Sequence, residues 1–215
     1  GEIRRTDEFI ADLLASLEDL GLSENSLFVL LSDHGEGFWE HGHFEHGNTL
    51  YNELLNVPLI LWSPDRLPSG KTIPDVVQTT DILPTILDFA GIPARPTIRG
   101  TSLLPVISGQ APSNPYAYSE FAHSGIIEGK AIQSRSFKYI GPNERRQTAQ
   151  HYDLTRDPAE MNDLGAAGHE RAIELLAAMK QIVESAELSR GTVTRPVQEV
   201  SEETLQKLKA LGYID

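Results

Sequence analysis

The chain has 215 residues, 40% of them apolar and 23% charged, which supplies a real core and excludes a short peptide scaffold. Its 18 lysines and arginines against 31 acidic residues leave a formal charge of -13, which repels a phosphate backbone and argues against a nucleic-acid partner. The lack of cysteine removes disulfides and thiolate chemistry, and no apolar run approaches the roughly 20 residues of a membrane helix, so no membrane partner is expected.

Phe9, Ile10, Leu13, Leu14, Leu17 and Leu20 recur at spacings of three and four, which predicts an amphipathic helix from Ile3 to Leu20 stopped by Gly21. The chain starts at Gly1 and runs straight into this pattern, which reads as a piece of a longer protein. Leu27 to Leu31 is a continuous apolar run that suits a parallel strand covered on both faces. It closes on Ser32-Asp33-His34-Gly35, and a long polar stretch from Glu36 to Asn48 separates it from a second apolar strand at Val57 to Trp62. Long loops inside compact domains are commonly functional. Ile73 to Gln78 fits a short extended segment. Asp81 to Ala90 fits a helix with Asp81 as N-cap, Pro84 in the first turn and Gly91 as its stop. The alternation of helices and strands predicts α/β, with residues 1–112 contributing to a mainly parallel sheet with flanking helices.

Gly109 to Pro115 carries Gly, Ser, Asn and two prolines and is the expected boundary. Beyond it, Tyr116 to Phe121, Gly129 to Gln133, Phe137 to Ile140 and His151 to Leu154 read as an antiparallel meander. Ala167 to Ala186 has helical spacing, and Ser201 to Leu211 reads as a last short helix after a loose connection from Ser189 to Val200. Residues 113–215 are therefore expected to form a small α+β subdomain with an antiparallel sheet.

Asp33 and His34 stand at the carboxyl end of an apolar strand, where open α/β sheets bind ligands. A carboxylate and an imidazole suit a divalent cation, while the same pair equally serves as a turn cap beside a hydrogen-bonded histidine. His34, His41, His43 and His46, four of the seven histidines, fall within thirteen positions, a density that points to a metal, an anion or general acid work. An exposed histidine-rich loop with adventitious metal affinity is the plainer alternative. Lys71, Arg95 and Arg99, and the basic group Lys130, Arg135, Lys138, Arg145 and Arg146, read as solvent-facing charge, with anion contact as the alternative. Neither Gly-x-Ser-x-Gly nor a phosphate-binding loop ending in Gly-Lys-Ser/Thr is present.

Ser32-Asp33-His34-Gly35-Glu36, Glu40-His41-Gly42, Leu50-Tyr51-Asn52-Glu53 and Val57-Pro58-Leu59-Ile60 resemble, in this order, the C-terminal half of a sulfatase of the alkaline phosphatase superfamily. Thr80-Asp81-Ile82-Leu83-Pro84-Thr85, Arg99-Gly100-Thr101-Ser102-Leu103, Phe137-Lys138-Tyr139-Ile140 and Tyr152-Asp153-Leu154 through Asp157-Pro158-Ala159-Glu160 extend the resemblance over nearly the whole chain. It implies an alkaline phosphatase-like α/β fold and a metal-dependent sulfuric ester hydrolase acting on a small sulfated ester or sulfated sugar. In such enzymes a formylglycine, as its hydrated gem-diol, attacks sulfur while one divalent ion, usually calcium, polarises the sulfate.

By the same resemblance Asp33 and His34 are metal ligands, and His41 and His46 are catalytic residues that bind substrate, His46 standing where a lysine is usual. A histidine at position 34 is similar to the phosphodiesterases and phosphonate monoester hydrolases of the superfamily, and its nitrogen shifts preference toward manganese or zinc. If His46 protonates the leaving group, activity falls toward alkaline pH. The family's nucleophile motif, Cys/Ser-x-Pro-x-Arg, is absent. Ser113-Asn114-Pro115 imitates its start without the arginine and reads as a linker, so the formylglycine is expected in a missing N-terminal half. The piece alone is accordingly expected to be inactive and to self-associate through the exposed truncated sheet. A non-catalytic module that binds a metal or an anion through the same loop is the alternative from another class.

Overall fold

A computed structural model describes residues 1–47, 49–112, 114–123, 126–143 and 147–190, together with Gln206. The expected helix at Ser201 to Leu211 lies outside these residues except for Gln206. Cα packing groups Gly1–Ile182 as one unit and Val183–Asp215 as a second.

Helix α1, Glu2–Asp19, forms where the apolar spacing puts it and ends at Gly21, whose φ of 67° suits a residue without a Cβ. None of its residues is buried, and Phe9 and Leu13 remain 66% and 49% exposed. Strands β1, Phe28–Leu31, and β4, Leu59–Trp62, pair antiparallel in the register Phe28 to Trp62. The parallel pairing expected of these two runs is thus not the one they make with each other. Continuous apolar character reports that both faces of a strand favour cover, and does not encode the direction of its partner. Leu31, Ile60 and Trp62 remain exposed on this ribbon. Between the two strands lie a short hairpin, β2 Gly37–Phe38 with β3 Phe44–Glu45, and a single helical turn, α2 Asn52–Leu55.

Helix α3, Ile82–Phe89, follows one 3-10 turn and holds buried Pro84 in its first turn. Asp81 precedes it, but its carboxylate does not cap α3. One oxygen accepts from the Gln78 amide at 2.9 Å and the other from Thr101 at 2.8 Å, which ties the loop after α3 back to its start. Thr85 continues the tie, donating to Asp81 O and accepting from Leu103 N just before α4, Leu104–Ile107. Ile73 to Gln78 forms no ladder.

Strands β5 Ala117–His123, β6 Ile126–Gln133, β7 Phe137–Ile140 and β8 Gln150–Asp153 form the expected antiparallel meander in sequence order. A register shift at Phe121/Ala122 sets the Phe121 ring over Gly129, where an added Cβ would lie 2.3 Å from it. Alternation gives the sheet two covered faces. Ala131, Ile140 and Tyr152 pack on Leu50 and Tyr51 just before α2. Ile132, Phe137 and Tyr139 pack on Ala172 and Leu175 of α5, His169–Arg190. Among the described residues no helix is long and apolar enough to cross a membrane.

Candidate active site

The turn after β1 is built from local bonds. Ser32 Oγ donates to His34 O at 2.7 Å, and the His34 amide donates to Asp33 Oδ1 at 3.0 Å. His34 Nδ1 lies 2.8 Å from the Gly35 carbonyl. A carbonyl only accepts, so Nδ1 carries the proton and, in the neutral ring, Nε2 presents its lone pair. Nε2 lies 3.8 Å from Asp33 Oδ2, too long for a hydrogen bond and close enough for both atoms to reach one cation. The side chains are 73% and 45% exposed, open to a ligand. Both residues line a cleft of about 1040 Å³, shared with Asn52 and Leu54 of α2, Gln78, Tyr118 and Arg135.

The donor set therefore fits a divalent ion: a hard carboxylate oxygen beside an imidazole nitrogen whose other nitrogen is fixed by a backbone carbonyl. It is incomplete, because among the described residues no group of three or more His, Cys, Asp or Glu is arranged to hold a metal.

The hairpin β2–β3 returns His46 to the turn. Its ring stacks on His34 with centroids 4.1 Å apart, and its Nδ1 lies 3.2 Å from Glu36 Oε1. Asp33, His34, Glu36 and His46 thus form one exposed group. His43 is exposed.

His41 takes a different place. It lies face to face on Tyr51, centroids 3.7 Å apart, with Nδ1 2.8 Å from Glu53 Oε1 and Nε2 3.0 Å from the Glu160 carbonyl. Both partners are acceptors, so both nitrogens must donate for both bonds to form. Any contact with substrate requires one of these bonds to break.

Lys138, read above as solvent-facing, is fully buried. Its ammonium pairs with Glu160 Oε1 at 2.7 Å and donates to Asn52 Oδ1 at 3.0 Å, while Glu160 Oε2 accepts from the Asn52 amide at 2.8 Å. Burial pushes the Lys138 pKa down, and the Glu160 and Glu53 carboxylates push it back. Lys71 and Arg135 line the Asp33 cleft, and Arg145 and Arg146 lie outside the described residues. From sequence, Lys138 reads only as surface charge, and Glu53 and Glu160 carry no role of their own. Asn52-Glu53 and Pro158-Ala159-Glu160 were visible only as motif members, without the long-range contacts that join them.

Residues 39–188 match the family profile described as N-sulphoglucosamine sulphohydrolase, C-terminal, and the chain belongs to this family, within the sulfatases of the alkaline phosphatase superfamily. Residues 1–58 also match the type I phosphodiesterase / nucleotide pyrophosphatase profile. An N-acetylglucosamine-6-O-sulfatase of Bacteroides thetaiotaomicron is 34% identical over 74% of this chain and 30% of its own length. Arylsulfatase K of Bos taurus is 29% identical over 86% of this chain and 36% of its own. A structure solved in complex with its substrate D-glucosamine-2-N,6-O-disulfate superposes with a TM-score of 0.72 at 27% identity, covering 92% of this chain and 41% of that one. The chain spans about a third of the length of the curated relatives it matches.

Proposed function

We propose that these residues form the C-terminal part of a metal-dependent sulfatase that hydrolyses sulfate esters, with a sulfated sugar as the substrate class. The observation that carries the reading is the pairing of Asp33 Oδ2 with His34 Nε2 across 3.8 Å, with the imidazole oriented by the Gly35 carbonyl, in a chain of the sulphohydrolase family. Asp33 and His34 supply two ligands. A divalent ion held there would polarise a sulfate oxygen and stabilise charge on the leaving oxygen. Calcium is the family's usual ion, and the imidazole nitrogen opens the site to manganese and zinc.

Within this reading His46 contacts the sulfate or protonates the leaving oxygen. It is half exposed, and its Nδ1 bond to Glu36 leaves Nε2 facing outward for that proton. His41 acts from behind, holding the hairpin to α2 and to Glu160. A formylglycine would supply the nucleophile toward sulfur, and no residue of this chain stands in its motif. Within the packed unit Gly1–Ile182, the stretch before residue 113 carries the ligands and the α+β stretch after it supports them.

The test is Asp33→Ala in the full-length protein carrying this chain. Hydrolysis of an aryl sulfate should fall by at least about 10³-fold, and unchanged turnover rejects the assignment. Phosphodiester or phosphonate monoester hydrolysis is the second reading, favoured by His34 and by the phosphodiesterase profile over residues 1–58. Turnover of an aryl phosphodiester above that of an aryl sulfate would select it.

A further inference from the structure

The Asp33–His34 turn is exposed, and the bonds within it bind the turn mostly to itself. Its position relative to the protein rests on a contact one residue on. The Gly35 amide donates to Leu54 O in α2 at 2.9 Å, and Gly35 sits so close to the Glu53 carbonyl that an added Cβ would lie 1.9 Å from it. The turn is therefore seated on the backbone of α2, and wherever α2 lies the ligands follow.

α2 is a single turn, too short to hold itself in place. Its first residue is gripped by Lys138 of β7 and by Glu160 in the loop after β8. Glu160 accepts the Asn52 amide, Lys138 donates to the Asn52 side chain, and the two grip each other at full burial. The Glu160 backbone adds a second hold, because its carbonyl takes His41, whose other nitrogen meets Glu53 of the same α2. Glu160 does this at φ 58°, a conformation uncommon for a residue with a side chain. Strain of this kind gathers where structure serves function, and a buried ion pair is seldom retained for stability, since an apolar pair of similar volume does as well.

We propose that Glu160 and Lys138 are positioning residues for the metal-binding turn: the buried pair fixes α2 and His41, and through Gly35 it sets where Asp33 and His34 present their ligand atoms. The role rests on the metal reading of Asp33 and His34. It gives β7 and the loop after β8 a part in the chemistry that runs through Asn52 of α2.

The experiment uses the full-length protein, comparing wild type, Lys138→Met/Glu160→Leu and Asp33→Ala. Calorimetric titration with manganese and with calcium, at a temperature well below every melting transition, reads metal affinity. Amide exchange of Gly35 reads the seating of the turn without any metal. The double variant, with neither charge left uncompensated, should melt cooperatively, bind either metal about 10-fold or more weakly and exchange Gly35 at least about 10-fold faster. Its kcat for an aryl sulfate should fall while KM holds. Wild-type affinity together with wild-type Gly35 exchange in the folded double variant overturns the proposal. If the double variant fails to fold, Glu160→Gln takes its place, with several-fold weaker metal binding expected and unchanged binding contradicting it. Asp33→Ala separates the two levels. If it abolishes metal binding while the double variant keeps wild-type affinity and wild-type Gly35 exchange, the positioning role alone falls; if it binds metal like wild type, the metal reading falls and the positioning role with it.

Discussion

The Gly35 carbonyl fixes the His34 tautomer and leaves Nε2 3.8 Å from Asp33 Oδ2, so under the proposed metal role the identity of residue 34 should tune which ion would be held. Replacing His34 by asparagine exchanges a nitrogen donor for an oxygen. Titration of the full-length variant should show manganese affinity falling by about 10-fold or more while calcium affinity changes less, and equal losses would contradict the ligand role. His46→Ala should lower kcat by about 10²-fold for an alkyl sulfate, whose leaving oxygen needs a proton, and far less for an activated aryl sulfate. Equal effects on both substrates would leave His46 with no proton to deliver. Gly35→Ala meets the Glu53 carbonyl rather than a movable side chain, so the turn must shift, and metal binding should weaken in the folded variant.

The meander and α5 enclose His151, which is 3% exposed and has neither ring nitrogen hydrogen-bonded. Burial pushes its pKa below 6.5, with nearby His169 adding to the effect and Asp163 opposing it. The unfolded chain therefore binds a proton that the folded chain refuses as pH falls through about 6.5 toward the lowered value. Stability contributed by neutral His151 is present above that window and lost below it. Urea unfolding between pH 7.5 and 5 should show decreasing stability, and His151→Leu should flatten that slope. A slope unchanged in the variant would assign the loss to other groups. Gly168 approaches the same ring, an added Cβ lying 2.3 Å from His151 Cβ, so Gly168→Ala should destabilise the packing of α5.

These elements also show what periodicity can carry. Phe137 to Ile140 was legible to the residue, since four short strands broken by turn residues encode a meander locally. The partner of β1 was not, because an apolar run is silent about strand direction. Within the site, Asp33, His34 and His46 are joined by a short loop and were visible as a cluster. The hold on α2 spans 108 residues from Asn52 to Glu160 and 86 from Asn52 to Lys138, and a lone lysine in a basic stretch reads as surface charge.

Across the whole molecule, apolar surface gathers on the first elements of the chain: Ile3, Phe9 and Leu13 of α1 and Ile60 and Trp62 of β4 are exposed. Such surface favours association. Expressed alone, the 215 residues should run as oligomers in size-exclusion chromatography with light scattering, while a monodisperse monomer would show that this surface is tolerated by water. If Asp33 and His34 are ligands as proposed, the same 215 residues should bind metal weakly, since among the described residues no third donor joins them.

Whether Asp33 and His34 share one cation can be seen by anomalous diffraction from manganese-soaked crystals of the full-length protein. A single strong peak bonded to both Asp33 Oδ2 and His34 Nε2 is expected. A map with the two side chains ordered and no peak between them would contradict a shared cation.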